Sequence, residues 1–118
     1  MTSHLTTHVL DAATGAPAAG IEIALRKASD LPGVTGDLLG SGTTDADGRL
    51  ALGPERLNAG AYVLTFLTGE YFGEQAIPTF YPEISVTFSV EVAHDGSSRH
   101  YHVPLLLSPF AYSTYRGS

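Results

Sequence analysis

The stretch Ile84-Ser85-Val86-Thr87-Phe88-Ser89-Val90-Glu91-Val92 is apolar at every even position and polar at every odd one. Only an extended chain sends alternate side chains to opposite faces, so this period of two requires a strand with one face on a core. Ile21, Ile23 and Leu25 alternate in the same way with Glu22, Ala24 and Arg26. Residues 62–67 are apolar on both faces apart from Thr65, the pattern of a strand in the middle of a sheet. Residues 4–10 and 101–107 read as further strands, Leu50-Ala51-Leu52 forms a short run after Arg49, and a last strand is predicted over 111–115.

Turn residues separate these runs. Gly15, Pro17 and Gly20 punctuate residues 11–20, and Asp45-Ala46-Asp47-Gly48 is a tight turn before Arg49. Asn58-Ala59-Gly60 and His94-Asp95-Gly96 mark two more reversals, the second a hairpin signal. Residues 29–42 read as a longer glycine-rich loop, and only 68–75 read as a helix, about two turns long. The sum is one all-β domain over residues 1–118, with seven to eight short strands in a sandwich or barrel.

Charge and residue usage exclude several functions. Twelve acidic against six basic residues give a net charge of −6, whereas phosphate binding needs a cationic surface, so nucleic acid is not an expected partner. The chain has no cysteine, which removes disulfides and thiolate chemistry. No apolar run approaches the roughly 20 residues that span a bilayer. Met1-Thr2-Ser3-His4 lacks the basic and apolar regions of a signal peptide. A cytoplasmic protein away from membranes is expected.

The five histidines are the main source of candidate chemistry. His4 and His8 share a face of the first strand by parity, as do His100 and His102 on a late one. Pro104 continues that second face and predicts an edge or a bulge. Taken singly, each histidine reads as an ordinary surface or core residue; two pairs on separate strands weaken that reading. His8 with His100 and His102 would match the three imidazoles of a catalytic zinc site, but no carboxylate stands at an obvious ligand spacing, and no metal is expected. Arg49 is either a solvated turn residue or a fixed cation whose fork of donors binds a carbonyl-rich ligand. Strand-forming residues run almost to Tyr115-Arg116-Gly117-Ser118, so that tail is expected to be held in place rather than frayed.

Thr7-His8-Val9-Leu10-Asp11, the turn Asp47-Gly48-Arg49, Phe80-Tyr81-Pro82-Glu83, His100-Tyr101-His102-Val103-Pro104-Leu105-Leu106-Leu107-Ser108-Pro109 and the final Tyr115-Arg116-Gly117-Ser118 together resemble the signatures of the 5-hydroxyisourate hydrolases. The resemblance covers essentially the whole chain. It implies a transthyretin-like β-sandwich of two antiparallel sheets with one short helix. It also implies hydrolysis of 5-hydroxyisourate in urate degradation without a cofactor, and a homotetramer with active sites at the dimer–dimer interface. The implied catalytic residues are His8, Arg49, His102 and Ser118, with His8, Arg49 and Tyr115 binding substrate. His100 lies within the motif without an assigned role, and Arg116 is expected to be structural, paired with a carboxylate. Transthyretin itself, a hormone carrier, shares the fold. The set His8, Arg49, His102 and the terminal tetrapeptide is what separates the hydrolases from it.

Overall fold

The computed structural model describes residues 3–31 and 34–117. Among the described residues nine strands and one helix follow in the order β1 (Leu5–Asp11), β2 (Ala16–Pro17), β3 (Glu22–Ala28), β4 (Thr35–Thr43), β5 (Arg49–Leu52), β6 (Gly60–Phe66), α1 (Thr68–Glu74), β7 (Ile84–Val90), β8 (Tyr101–Ser108) and β9 (Ala111–Thr114). They form a sandwich. One sheet has the order β2-β1-β8-β9, with β5 also paired to β1, and the other has the order β4-β3-β6-β7. The alternation read from the sequence supplies the apolar faces between them. Leu5 and Val9 of β1 and Leu105 and Leu107 of β8 join Ile23, Leu64 and Phe66 in one buried cluster. Residues 62–67 are placed as expected, since β6 lies between β3 and β7.

Four features depart from the sequence reading. The first sheet is mixed, because β1 and β8 run parallel, from Leu5 opposite Tyr101 to Asp11 opposite Leu107. Parallel strands need a long crossover, and here the whole second sheet lies between the two in sequence.

The supposed loop at 29–42 holds all but the last residue of β4, the longest strand among the described residues, antiparallel to β3. Its glycines mark close packing instead of turns: a Cβ on Gly40 would stand 2.7 Å from the Gly53 nitrogen, and one on Gly42 would stand 3.0 Å from the Leu50 side chain.

His94-Asp95-Gly96 does turn the chain, with Gly96 at φ +84°. It leads from β7 to β8 in the other sheet, however, so it closes no hairpin.

Pro104 is buried in β8, which has neighbours on both sides. The missing N–H falls where pairing with β9 lapses: the ladder runs from Ser108–Ala111 to Leu105–Thr114 and resumes only at the isolated bridge His102–Gly117. The proline therefore interrupts the pairing without sitting at an edge.

The helix is tied to the end of β1, where Tyr71 donates to Oδ2 of the buried Asp11 at 2.8 Å. Burial, and then that bond, raise the Tyr71 phenol above its usual range. Among the described residues no helix is long and apolar enough to cross a membrane.

Candidate active site

In β1 the side chains of Leu5, Thr7, Val9 and Asp11 are buried, while Thr6, His8 and Leu10 lie half-buried on the opposite face. Two neighbouring strands bring chemistry to that outer face. Antiparallel β5 sets Arg49 directly opposite His8. Parallel β8 sets His102 opposite Thr6 and Pro104 opposite His8. Directly opposed residues share a face, so His8, Arg49 and His102 are brought together from three strands.

The turn before β5 holds Arg49 in place. Asp45 Oδ1 accepts the backbone N–H groups of Asp47 at 2.9 Å and Arg49 at 3.0 Å. The Asp45 N–H donates to the Arg49 carbonyl at 3.0 Å, and the Gly48 N–H donates to the Asp45 carbonyl at 2.9 Å. Gly48 has φ +74° and lies against the Val9 backbone, so the turn needs a residue without a side chain there. The N–H of Arg49, chiefly, keeps the Asp45 carboxyl below its usual range; the nearby Arg49 guanidinium acts the same way.

His102 is fixed from two sides. Its Nδ1 lies 2.8 Å from Thr6 Oγ1. Gly117 covers the ring from the chain's tail, donating its N–H to the His102 carbonyl at 2.8 Å. Burial, followed by electrostatic repulsion from Arg49 and from the neighbouring His8 and His100, pushes the His102 imidazole below its ordinary value. That shift favours the neutral ring, whose lone pair can take a proton.

A groove of about 540 Å³ runs along this face, lined by Thr6, Thr43, Asp45, Arg49, His100 and His102 among others. Another groove, of about 600 Å³, lies on the second sheet against Glu22, Arg26, Ser41, Thr65, Glu83 and Ser85. No imidazole lines it among the described residues, so the histidine groove is the better candidate despite being slightly smaller.

The other sequence candidates are placed as follows. His4 does not share the outer face with His8, because it precedes β1 and turns into the core. Its Nδ1 accepts the Leu57 N–H at 2.8 Å and its Nε2 lies 2.9 Å from the Arg99 carbonyl. Tyr115 is exposed and lines a different groove, with Val86, Phe88, Tyr101 and Arg116. Arg116 lays its guanidinium over the Tyr101 ring, 4.2 Å from the centroid, where a carboxylate partner was expected. Ser118 lies outside the described residues. Among the described residues no group of three or more His, Asp or Glu side chains is arranged to hold a metal ion. Thr6 and Asp45 belong to the groove but were not singled out from the sequence. Parity with His8 marks Thr6 as a neighbour on its face, and the turn position marks Asp45 as the residue that caps Arg49.

The model of the HIUase/Transthyretin family matches residues 5–117. A 5-hydroxyisourate hydrolase of Salmonella dublin is 48% identical over 116 residues, covering 97% of this chain and 80% of that protein. The structure of Klebsiella pneumoniae 5-hydroxyisourate hydrolase superposes with a TM-score of 0.78 at 32% identity, covering 100% of this chain and 97% of the other. Sea bream transthyretin in complex with thyroxine gives a TM-score of 0.80 at 31% identity, covering 96% and 93%.

Proposed function

The chain belongs to the HIUase/Transthyretin family, and on that premise we propose that it hydrolyses 5-hydroxyisourate to 2-oxo-4-hydroxy-4-carboxy-5-ureidoimidazoline in urate degradation. The observation that carries the reading is the meeting of His102, oriented by Thr6, with His8 and Arg49 on one outer sheet face.

Opening the six-membered ring requires water to lose a proton as its oxygen attacks the C6 carbonyl. His102 takes that proton on Nε2. The carbonyl electrons move onto oxygen, where the Arg49 guanidinium and a donor on His8 offset the developing negative charge. When the C6–N1 bond breaks, the electron pair stays on N1, which recovers a proton from the imidazolium. Arg49 and His8 also grip the flat, carbonyl-rich ring so that the attacking oxygen approaches in line. Tyr115 and Ser118 complete the substrate contacts in this scheme. The four sites of a homotetramer lie at its dimer–dimer interface, where the exposed Tyr115 can serve a neighbouring subunit. The reaction needs no cofactor, because it moves no electrons to or from an external carrier, and the cytoplasm is its expected place.

The likeness to a thyroxine-bound transthyretin favours a second reading, a carrier of a small aromatic ligand. Ultraviolet spectroscopy of freshly generated 5-hydroxyisourate separates the two. A hydrolase hastens its decay, and His102→Asn loses on the order of 10²–10⁴ of that rate. A chain that leaves the decay unchanged is a carrier, and the hydrolase reading then fails.

A further inference from the structure

Thr6 touches two imidazoles at once. Its Oγ1 lies 2.8 Å from Nδ1 of His102 and 2.8 Å from Nε2 of His100. A hydroxyl donates one proton and accepts through its lone pairs, so the two rings cannot both turn a lone pair toward it. The tautomer of one histidine is thereby coupled to that of the other. If Thr6 donates to His102, neutral His102 carries its proton on Nε2 and offers no base there. If Thr6 instead accepts from Nδ1–H, Nε2 of His102 keeps its lone pair, and the Thr6 proton is free to bridge to His100.

We propose that Thr6 is a positioning residue that accepts from Nδ1–H of His102 and donates to Nε2 of His100, making the three side chains a reversible proton relay. The proposal rests on the hydrolase reading above. In the attack step the proton of water goes to Nε2 of His102. The Nδ1 proton passes to Thr6 Oγ1 as the Thr6 hydroxyl proton passes to Nε2 of His100. His102 is then neutral again, now protonated on Nε2, and the positive charge has moved to His100. Ring opening runs the relay backwards: Nε2–H goes to the departing N1, His100 returns its proton to Thr6, and the Thr6 proton returns to Nδ1. Every proton is accounted for and the starting tautomers are restored.

The relay has a physical reason to exist in this place. A standing charge on His102 would sit in a half-buried position beside Arg49 on β5, His8 on β1 and His100, and among the described residues that line the groove Asp45 is the one carboxylate to oppose it. Those surroundings are what depress the His102 imidazole. On this chain His100 is exposed where His102 is half-buried, so the transferred charge costs less desolvation there than on His102.

Nitrogen-15 NMR of the imidazoles in the free wild-type protein tests the tautomers without substrate and without any variant. The expected pattern above the titration range is His102 protonated on Nδ1 and His100 with a lone pair on Nε2. A His102 protonated on Nε2 overturns the proposal. Thr6→Val removes the hydroxyl at nearly constant shape; it is expected to lower kcat roughly tenfold or more, as a misplaced imidazole tautomer does, with KM within about twofold. Thr6→Ser restores kcat and the tautomer pattern. Wild-type kcat in Thr6→Val, or no recovery in Thr6→Ser, removes the relay. If wild-type protein leaves 5-hydroxyisourate untouched, the hydrolase reading and the relay fall together. The tautomer pair still decides separately whether Thr6 orders the two rings.

Discussion

Gly117 lies so close to the His102 imidazole that a methyl group on its Cα would stand 2.5 Å from Cδ2 and 3.3 Å from Cγ. The same methyl would meet Pro104 Cγ at 3.3 Å. The chain's tail is thus a wall of the histidine site, held there by the isolated bridge to His102.

Gly117→Ala is therefore expected to displace the imidazole and reduce turnover by about tenfold or more, because small misplacements of a reacting group cost rate steeply. The fold should hardly notice, since the residue lies outside the core cluster. Thermal denaturation and the spectroscopic assay on the same preparation check both halves. Undiminished turnover would show that the tail does not constrain the ring in the working protein.

Rate should fall on the acid side as His102 takes a proton. Because burial, and then Arg49 and its neighbours, hold this imidazole low, the fall is expected below the ordinary histidine range. A histidine with a depressed folded value favours the folded state above its unfolded value, and that stability is lost as pH falls through the lowered one. Arg49→Met removes one of the opposing charges, so the His102 titration should move upward toward the ordinary value, but only in part, since burial remains. Proton NMR of the His102 ring reads this without relying on activity. A midpoint that stays put, or moves down, contradicts the charge coupling between the two residues.

The histidines should separate by kind. His4 is buried, its ring packs edge-on to Tyr101 with centroids 5.5 Å apart, and it accepts the Leu57 N–H. His4→Ala leaves that amide unpartnered beside a cavity and is expected to cost about 2–4 kcal/mol, with turnover per folded molecule preserved. His102→Asn should do the reverse. Urea unfolding with the assay run in parallel distinguishes them, and a stable His4→Ala chain without activity would move His4 into the site.

Asp45 should matter through its oxygen more than through its charge. Asp45→Asn keeps an acceptor for the N–H groups of Asp47 and Arg49 and is expected to retain most activity. Asp45→Ala removes the acceptor, loosens the turn, and should raise KM severalfold as Arg49 loses its anchor. Equal losses in both variants would point to the carboxylate charge itself.

Much of this molecule is legible along the chain. Period-two alternation identifies the main strands, and parity assigns Thr6 and His8 to one face of β1, and His102 and Pro104 to one face of β8. The Asp45–Gly48 turn before Arg49 is equally local, because an Asx side chain and a positive-φ glycine act over four residues. What alternation misreads is equally instructive. The glycines of β4 look like loop residues because their function is to let Gly53 and Leu50 approach, and those partners are distant in sequence. His4 shares parity with His8, yet the strand begins only at Leu5, so its ring turns inward.

The site itself belongs to the tertiary level. Side-chain alternation is a property of each strand's own backbone, which is why the sequence alone determined which residues each strand turns to the same side. Which strand lies beside which, in what direction and in what register, is decided by burying both sheets' apolar faces together. That packing runs β8 parallel to β1 and so places His102 beside Thr6, 96 positions apart. It also sets Arg49 opposite His8 and folds Gly117 onto the imidazole. No local pattern encodes those meetings, because each depends on long-range pairing that exists only once the core has closed.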